Sequence, residues 1–145
     1  MYAISTKDLF LWIRDIKKSE QDIEDLYLLL DLLGGISKSD LFLLKINPPQ
    51  EVLLNIDFHS LKKKWIEHTQ ISKPIPYISN SAYWRNFKFE ITADVLIPRV
   101  ETEQIIDIAT DIIDNKDKEI LFADLGTGSG SIAISLAFEI EIGKA

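Results

Sequence analysis

Apolar residues recur three and four positions apart from the first turns onward: Leu9, Trp12, Ile13 and Ile16 make one stripe, Ile23, Leu26, Tyr27, Leu30 and Leu33 a second. The spacing predicts two amphipathic helices. Ser19 followed three residues later by Asp22 resembles an N-cap arrangement for the second, and Gly34-Gly35 supplies a left-handed stop. A third apolar run around Leu41–Leu44 stops near Asn47-Pro48-Pro49. Val52 to Thr69 then offers one or two further helices carrying Leu53, Leu54, Leu61 and Trp65. Residues 1–71 therefore read as a small helical bundle.

The pattern changes at Ser72. Pro74 and Pro76 forbid a continuing helix, and Tyr77-Ile78 and Trp84 to Thr92 have the aromatic and β-branched content of strands around the turn-forming Ser79-Asn80-Ser81. Residues 72–93 thus read as a β-hairpin linker. Ile97-Pro98-Arg99 is expected to be extended, because proline disfavours the α region for the residue before it. Thr102 to Ile113 resumes a helix with Ile105, Ile106, Ala109, Ile112 and Ile113 inward. The wholly apolar run Ile120 to Ala123 is what a central parallel strand buried on both faces requires, and Ile132, Ile134, Leu136 and Ala137 follow on a helix. The fold class is α + α/β: a helical bundle, a hairpin, and over residues 94–145 the opening of a doubly wound, Rossmann-like domain.

Composition narrows the function classes. The 145 residues are 46% hydrophobic, enough for a packed core, and contain no cysteine, which excludes disulfides and thiolate metal sites and fits a cytoplasmic protein. Neither a signal peptide nor an apolar run of about 18 residues is present. A net charge of −7 argues against a broad grip on nucleic acid. The one dense basic run, Lys62-Lys63-Lys64, spreads around a helix and reads as a solvated face. His59 and His68 lie on helical segments without metal-ligand spacing, so both read as surface residues and no metal site is expected.

Candidate chemistry sits in Asp124-Leu125-Gly126-Thr127-Gly128-Ser129-Gly130, between the apolar run and the last helix. Glycine permits positive φ and leaves room for a ligand against the main chain, while a helix start offers unpaired N–H groups. The loop is not a P-loop, since no Lys-Ser or Lys-Thr closes it. Ser131 stands where the dinucleotide fingerprint wants its last glycine, which disfavours pyrophosphate. The remaining alternatives are a non-pyrophosphate nucleotide cofactor and a tight turn with no ligand.

The loop resembles motif I of class I S-adenosylmethionine-dependent methyltransferases. Preceded by Val95-Leu96-Ile97-Pro98-Arg99-Val100-Glu101-Thr102-Glu103, it is similar to the HemK/PrmC family of protein-(glutamine-N5) methyltransferases, which modify peptide chain release factors. The likeness covers essentially the whole chain, with residues 1–71 matching the family's helical substrate-recognition domain. It implies S-adenosylmethionine as cofactor, held by the backbone of Gly126, Thr127, Gly128, Ser129 and Gly130, with Asp124 orienting the loop or the cofactor amino group. Arg99, Glu101 and Thr102 match a stretch beside the cofactor and substrate pocket. Read locally, they are equally a loop salt bridge and an N-cap at Thr102. Val100 stands where the family often has a second proline, and Asn80 where the hairpin often has glycine.

The resemblance also implies parts that these residues do not supply. The family grips the substrate amide with an Asn-Pro-Pro-Tyr loop after its fourth strand and holds the ribose with an acid after its second. Asn47-Pro48-Pro49-Gln50 lies in the helical domain without the aromatic residue, and reads as a helix boundary with proline in a first turn. Glu139 and Glu141 follow the loop too soon to be the ribose acid. The expectation is an N-terminal portion of a release factor methyltransferase, with no catalytic residue of its own and inactive alone. The alternatives are a non-catalytic protein-interaction module and a methyltransferase for nucleic acid amino groups, the last opposed by the acidic charge.

Overall fold

Leu9, Ile13 and Ile16 form the buried face of α1 (Thr6–Lys18), and Trp12, half-buried beside them, meets Phe58 edge-on with ring centroids 5.3 Å apart. The structure, a computed structural model, describes residues 1–19, 22–113 and 121–139. The chain forms two compact units, Met1–Ser79 and Asn80–Ala145. In the first, α2 (Ile23–Leu29) runs into a π-helical turn at Leu30–Gly34, so that Leu26, Leu29, Leu30 and Leu32 are all buried. Asp22 alone caps α2, accepting from the Glu24 N–H at 2.9 Å, whereas Ser19 closes α1 by donating its hydroxyl to the Ile16 carbonyl at 2.7 Å. The expected Ser19–Asp22 cap is therefore two separate devices. Gly35 is the left-handed stop, with φ 73, and a Cβ there would clash with the Asn55 side chain.

After α3 (Lys38–Ile46) the chain departs from the expected bundle. Glu51–Leu54 is a strand, β2, paired antiparallel with β1 (Tyr2–Ser5), Ile4 opposite Val52. Val52 and Leu54 point inward and Glu51 and Leu53 outward, a period of two too short to be told from a helix in sequence. Pro48-Pro49 ends α3 but opens no helix; the Pro49 carbonyl instead accepts the Thr6 hydroxyl at 2.6 Å. Asp57 caps α4 (Phe58–Ile71), which buries Leu61 and Trp65. His68 is not a surface residue: its ring is only 18% exposed, with Nε2 3.2 Å from Asp25 and Nδ1 2.9 Å from the Lys73 carbonyl. His59 is exposed.

Three carboxylates of this unit hold acid-sensitive links. Hydrogen bonds from Ser37 keep Asp40 below its ordinary pKa, bonds from Ser60 do the same for Asp57, and Lys73 and then Lys64 do so for Glu67. A depressed folded-state pKa contributes stability that is complete above the unfolded value and disappears as pH falls through the folded one. The urea midpoint is therefore expected to fall from about pH 4 downward. The triple variant Asp40→Asn, Asp57→Asn, Glu67→Gln should show a flatter decline.

Tyr77 and Ile78, expected in a strand, lie in the short helix α5 (Ile75–Ser79), which belongs to the first unit. Pro76 occupies its first turn, where a missing N–H costs nothing, and the Pro74 carbonyl accepts from Tyr77 at 3.0 Å and Ile78 at 3.2 Å. The hairpin lies in the second unit. It pairs β3 (Ser81–Trp84) with β4 (Phe87–Glu90), Trp84 opposite Phe87, so its turn is Arg85-Asn86 and not Ser79-Asn80-Ser81. Asn80 does take the left-handed conformation, at φ 52, and its carbonyl accepts the Ile91 N–H.

Beyond the hairpin, a 3-10 turn (Val100–Glu103) leads into α6 (Gln104–Ile112), and α7 spans Ser131–Glu139. Trp84, Ile106 and Leu136 are the buried centre, with Phe87, Phe89, Ala109, Phe122 and Ile132 packed around them. Of the five α6 residues expected inward, Ile106 alone is buried; Ile105 and Ile112 are exposed. Residues 121–123 form no strand, and Leu121 is 99% exposed. A parallel strand exists only through its neighbours, and among the described residues none pairs here. Ile120 lies outside the described residues.

Candidate cofactor site

Pro98 disfavours the helical region for Ile97, and residues 96–99 take no regular element, with Arg99 extended, before the turn at Val100–Glu103. This segment is one wall of a cavity of about 440 Å³ in the second unit. The glycine loop is another. Gly126, Thr127, Gly128 and Ser129 line it together with Arg99 and Thr102, and Trp84, Asp94 and the start of α7 at Ser131 and Ile132 contribute as well. Asp124, Gly130 and Glu101 lie outside it.

All three glycines have positive φ, at 80, 56 and 77 for Gly126, Gly128 and Gly130. Their surroundings differ. A Cβ on Gly126 would meet no protein atom within 4 Å, and one on Gly128 only the Gly126 carbonyl at 3.9 Å. One on Gly130 would touch Ile134 Cδ1 at 3.4 Å, an ordinary packing distance. The first two leave open main chain towards the cavity, whereas Gly130 seats the loop on α7. Thr127 fixes the turn, donating its hydroxyl to the Asp124 carbonyl at 2.7 Å while its own carbonyl accepts the Gly130 N–H at 2.9 Å.

Asp124 carries the informative defect. Its Oδ2 is buried and has no hydrogen-bond partner. An enclosed carboxylate oxygen without a donor costs free energy, so the site calls for a donor from outside the described chain. The carboxylate does not order the loop itself; the loop contact comes from the Asp124 main chain. Thr102 does not cap α6 with its side chain, and among the described residues neither Arg99 nor Glu101 forms an ion pair, so the local alternative for these three residues has no contact behind it. Sequence reasoning overlooked Trp84 as a lining residue, although an aromatic residue at a hairpin end just before the Ile-Pro-Arg segment was a usable signal.

No protein-family model matches the chain. Curated relatives do. The release factor glutamine methyltransferase of Prochlorococcus marinus is 34% identical over 134 residues, covering 92% of this chain and 46% of the relative. This chain belongs to the release factor glutamine methyltransferase family. The enzyme of the same name from Coxiella burnetii is 31% identical over 93% of the chain, and that from Lactococcus lactis 32% identical over 88%. The chain spans about half the length of these methyltransferases, 46% in each case. Among the described residues, no helix is long and apolar enough to cross a membrane.

Proposed function

We propose that this chain forms the cofactor-binding portion of a cytoplasmic methyltransferase that modifies a glutamine side-chain amide of a peptide chain release factor, with S-adenosylmethionine as methyl donor. One observation carries the reading: a family glycine loop whose open main chain lines a cavity and whose preceding aspartate has a buried, unpartnered oxygen. The cofactor's ammonium is a donor of the kind that Asp124 Oδ2 lacks, and Asp124, two residues before the cavity-lining Gly126, is assigned to orient the loop or that ammonium. Bound there, it supplies an electrophilic sulfonium methyl. The backbone at Gly126 and Gly128 accommodates its bulk, and the first N–H groups of α7 and the Thr127-Gly128-Ser129 main chain give it polar contacts. Arg99 and Thr102 line the same cavity, and they and Glu101, which does not line it, are assigned to the surroundings of the cofactor and substrate pocket. Residues 1–71 are assigned to recognition of the release factor.

An amide nitrogen is a poor nucleophile, so transfer depends on acceptors that hold it in line with the methyl group. No Asn-Pro-Pro-Tyr string occurs among these 145 residues. They are therefore expected to bind radiolabelled S-adenosylmethionine without labelling a release factor glutamine. Absence of cofactor binding would sink the assignment, and robust labelling would sink the inactivity. Asp124→Asn sharpens the test. Because Asp124 Oδ2 makes no bond that the substitution would break, the urea midpoint should stay unchanged or rise, while cofactor affinity drops about tenfold through loss of a charge-assisted bond.

A further inference from the structure

We propose that Glu103 and Arg85 are positioning residues of the cofactor site, a clamp that holds the Arg99–Thr102 wall of the cavity against the hairpin; this rests on the cofactor reading above. Arg85 is the first residue of the hairpin turn, left-handed at φ 48, and its side chain is 21% exposed. Its main-chain N–H donates to Glu103 Oε1 at 2.9 Å. Its guanidinium returns the contact, with Nη1 3.4 Å from the Glu103 carbonyl and 2.8 Å from Asp107 Oδ1, and Nη2 3.4 Å from Glu139 Oε1. One residue thus ties the hairpin to the end of the 3-10 turn, the first turn of α6 and the last turn of α7.

The consequence for the cavity follows from connectivity. Trp84, next to Arg85, lines the cavity and donates its indole N–H to Ser135 at 2.8 Å. Thr102, next to Glu103, lines it too, and its N–H bonds the Arg99 carbonyl at 2.9 Å to close the 3-10 turn. Two lining residues are therefore each one residue away from the clamp. Neither Arg85 nor Glu103 lines the cavity, so neither touches a bound ligand directly, and their effect on affinity acts through wall position.

The test compares Glu103→Ala with Glu103→Gln in the whole chain, because glutamine keeps an acceptor for the Arg85 N–H and alanine does not. Isothermal titration with S-adenosylmethionine should give about tenfold weaker binding for Glu103→Ala and recovery to within about threefold for Glu103→Gln. Amide exchange at Thr102 should accelerate in the alanine variant while that of Ile134 on α7, whose N–H donates to the Gly130 carbonyl, stays at the wild-type rate. Alanine-variant binding within twofold of wild type, or a glutamine variant as weak as the alanine one, overturns the positioning role. Unchanged exchange at Thr102 overturns the clamp whatever the binding result. A wild-type chain that binds no cofactor sinks the cofactor reading instead, and the exchange data still decide the clamp.

Discussion

Gly126→Ala is expected to weaken S-adenosylmethionine binding by about a hundredfold, roughly 2.7 kcal/mol, while lowering folding stability by only about 1 kcal/mol. The two effects separate because the protein leaves room for the new methyl group. No atom of the chain lies within 4 Å of the Cβ position, so the folded state bears only the left-handed strain at φ 80. The methyl group would nonetheless stand on main chain that lines the cavity, where a ligand must lie against the backbone. Gly130→Ala should separate the two effects differently. Its Cβ would make ordinary contact with Ile134 Cδ1 at 3.4 Å and lie outside the cavity lining, so stability should fall by a similar amount, from the left-handed strain at φ 77, and affinity much less. Titration calorimetry and urea unfolding on both variants give the comparison. A Gly126→Ala chain that binds like wild type would remove the glycine loop from the cofactor site.

The contrast between these glycines marks how far sequence reasoning reaches. Three alternating glycines before a helix announce a loop of left-handed residues, yet spacing alone does not separate the two that open on a cavity from the one that seats the helix. The helical stripes of the first unit were readable because Leu9, Ile13 and Ile16 repeat with the helix and nothing else competes for them. β1 and β2 were not, since four residues each, paired across more than 40 positions of chain, leave no local period to count. The prolines at 74 and 76 misled for a related reason: Pro at a first turn and Pro beside a strand look alike until the chain around them is placed. Ile120–Ala123 shows the limit from the other side. Apolar sequence supplies a segment suited to a central strand, but pairing is a property of neighbours, and none is present among the described residues.

That shortage of neighbours makes the second unit's small core sensitive, and Trp84→Ala should expose it. Trp84 is 1% exposed and packs with Ile106 at 0% and Leu136 at 8%; with Ala82 and Ile91 these are the buried apolar residues among the described residues 81–113 and 121–139. Truncating a buried tryptophan costs about 3–5 kcal/mol through lost contacts and a cavity that the surroundings fill only in part. Here the loss also strands the Ser135 hydroxyl, wholly buried and bonded to the indole N–H. A domain's net stability is about 5–15 kcal/mol, and one with so little core belongs at or below the lower end. Trp84→Ala is therefore expected to unfold the hairpin, α6 and α7 together, seen as collapse of dispersed amide resonances from residues 81–113 and 121–139. Trp84→Phe keeps most of the volume but not the N–H, and should cost about 1–2 kcal/mol without loss of the fold. If Trp84→Ala retains its dispersed spectrum, the packing of Trp84, Ile106 and Leu136 is not what holds this unit together, and the cavity bounded by Trp84 must owe its shape to the loops alone.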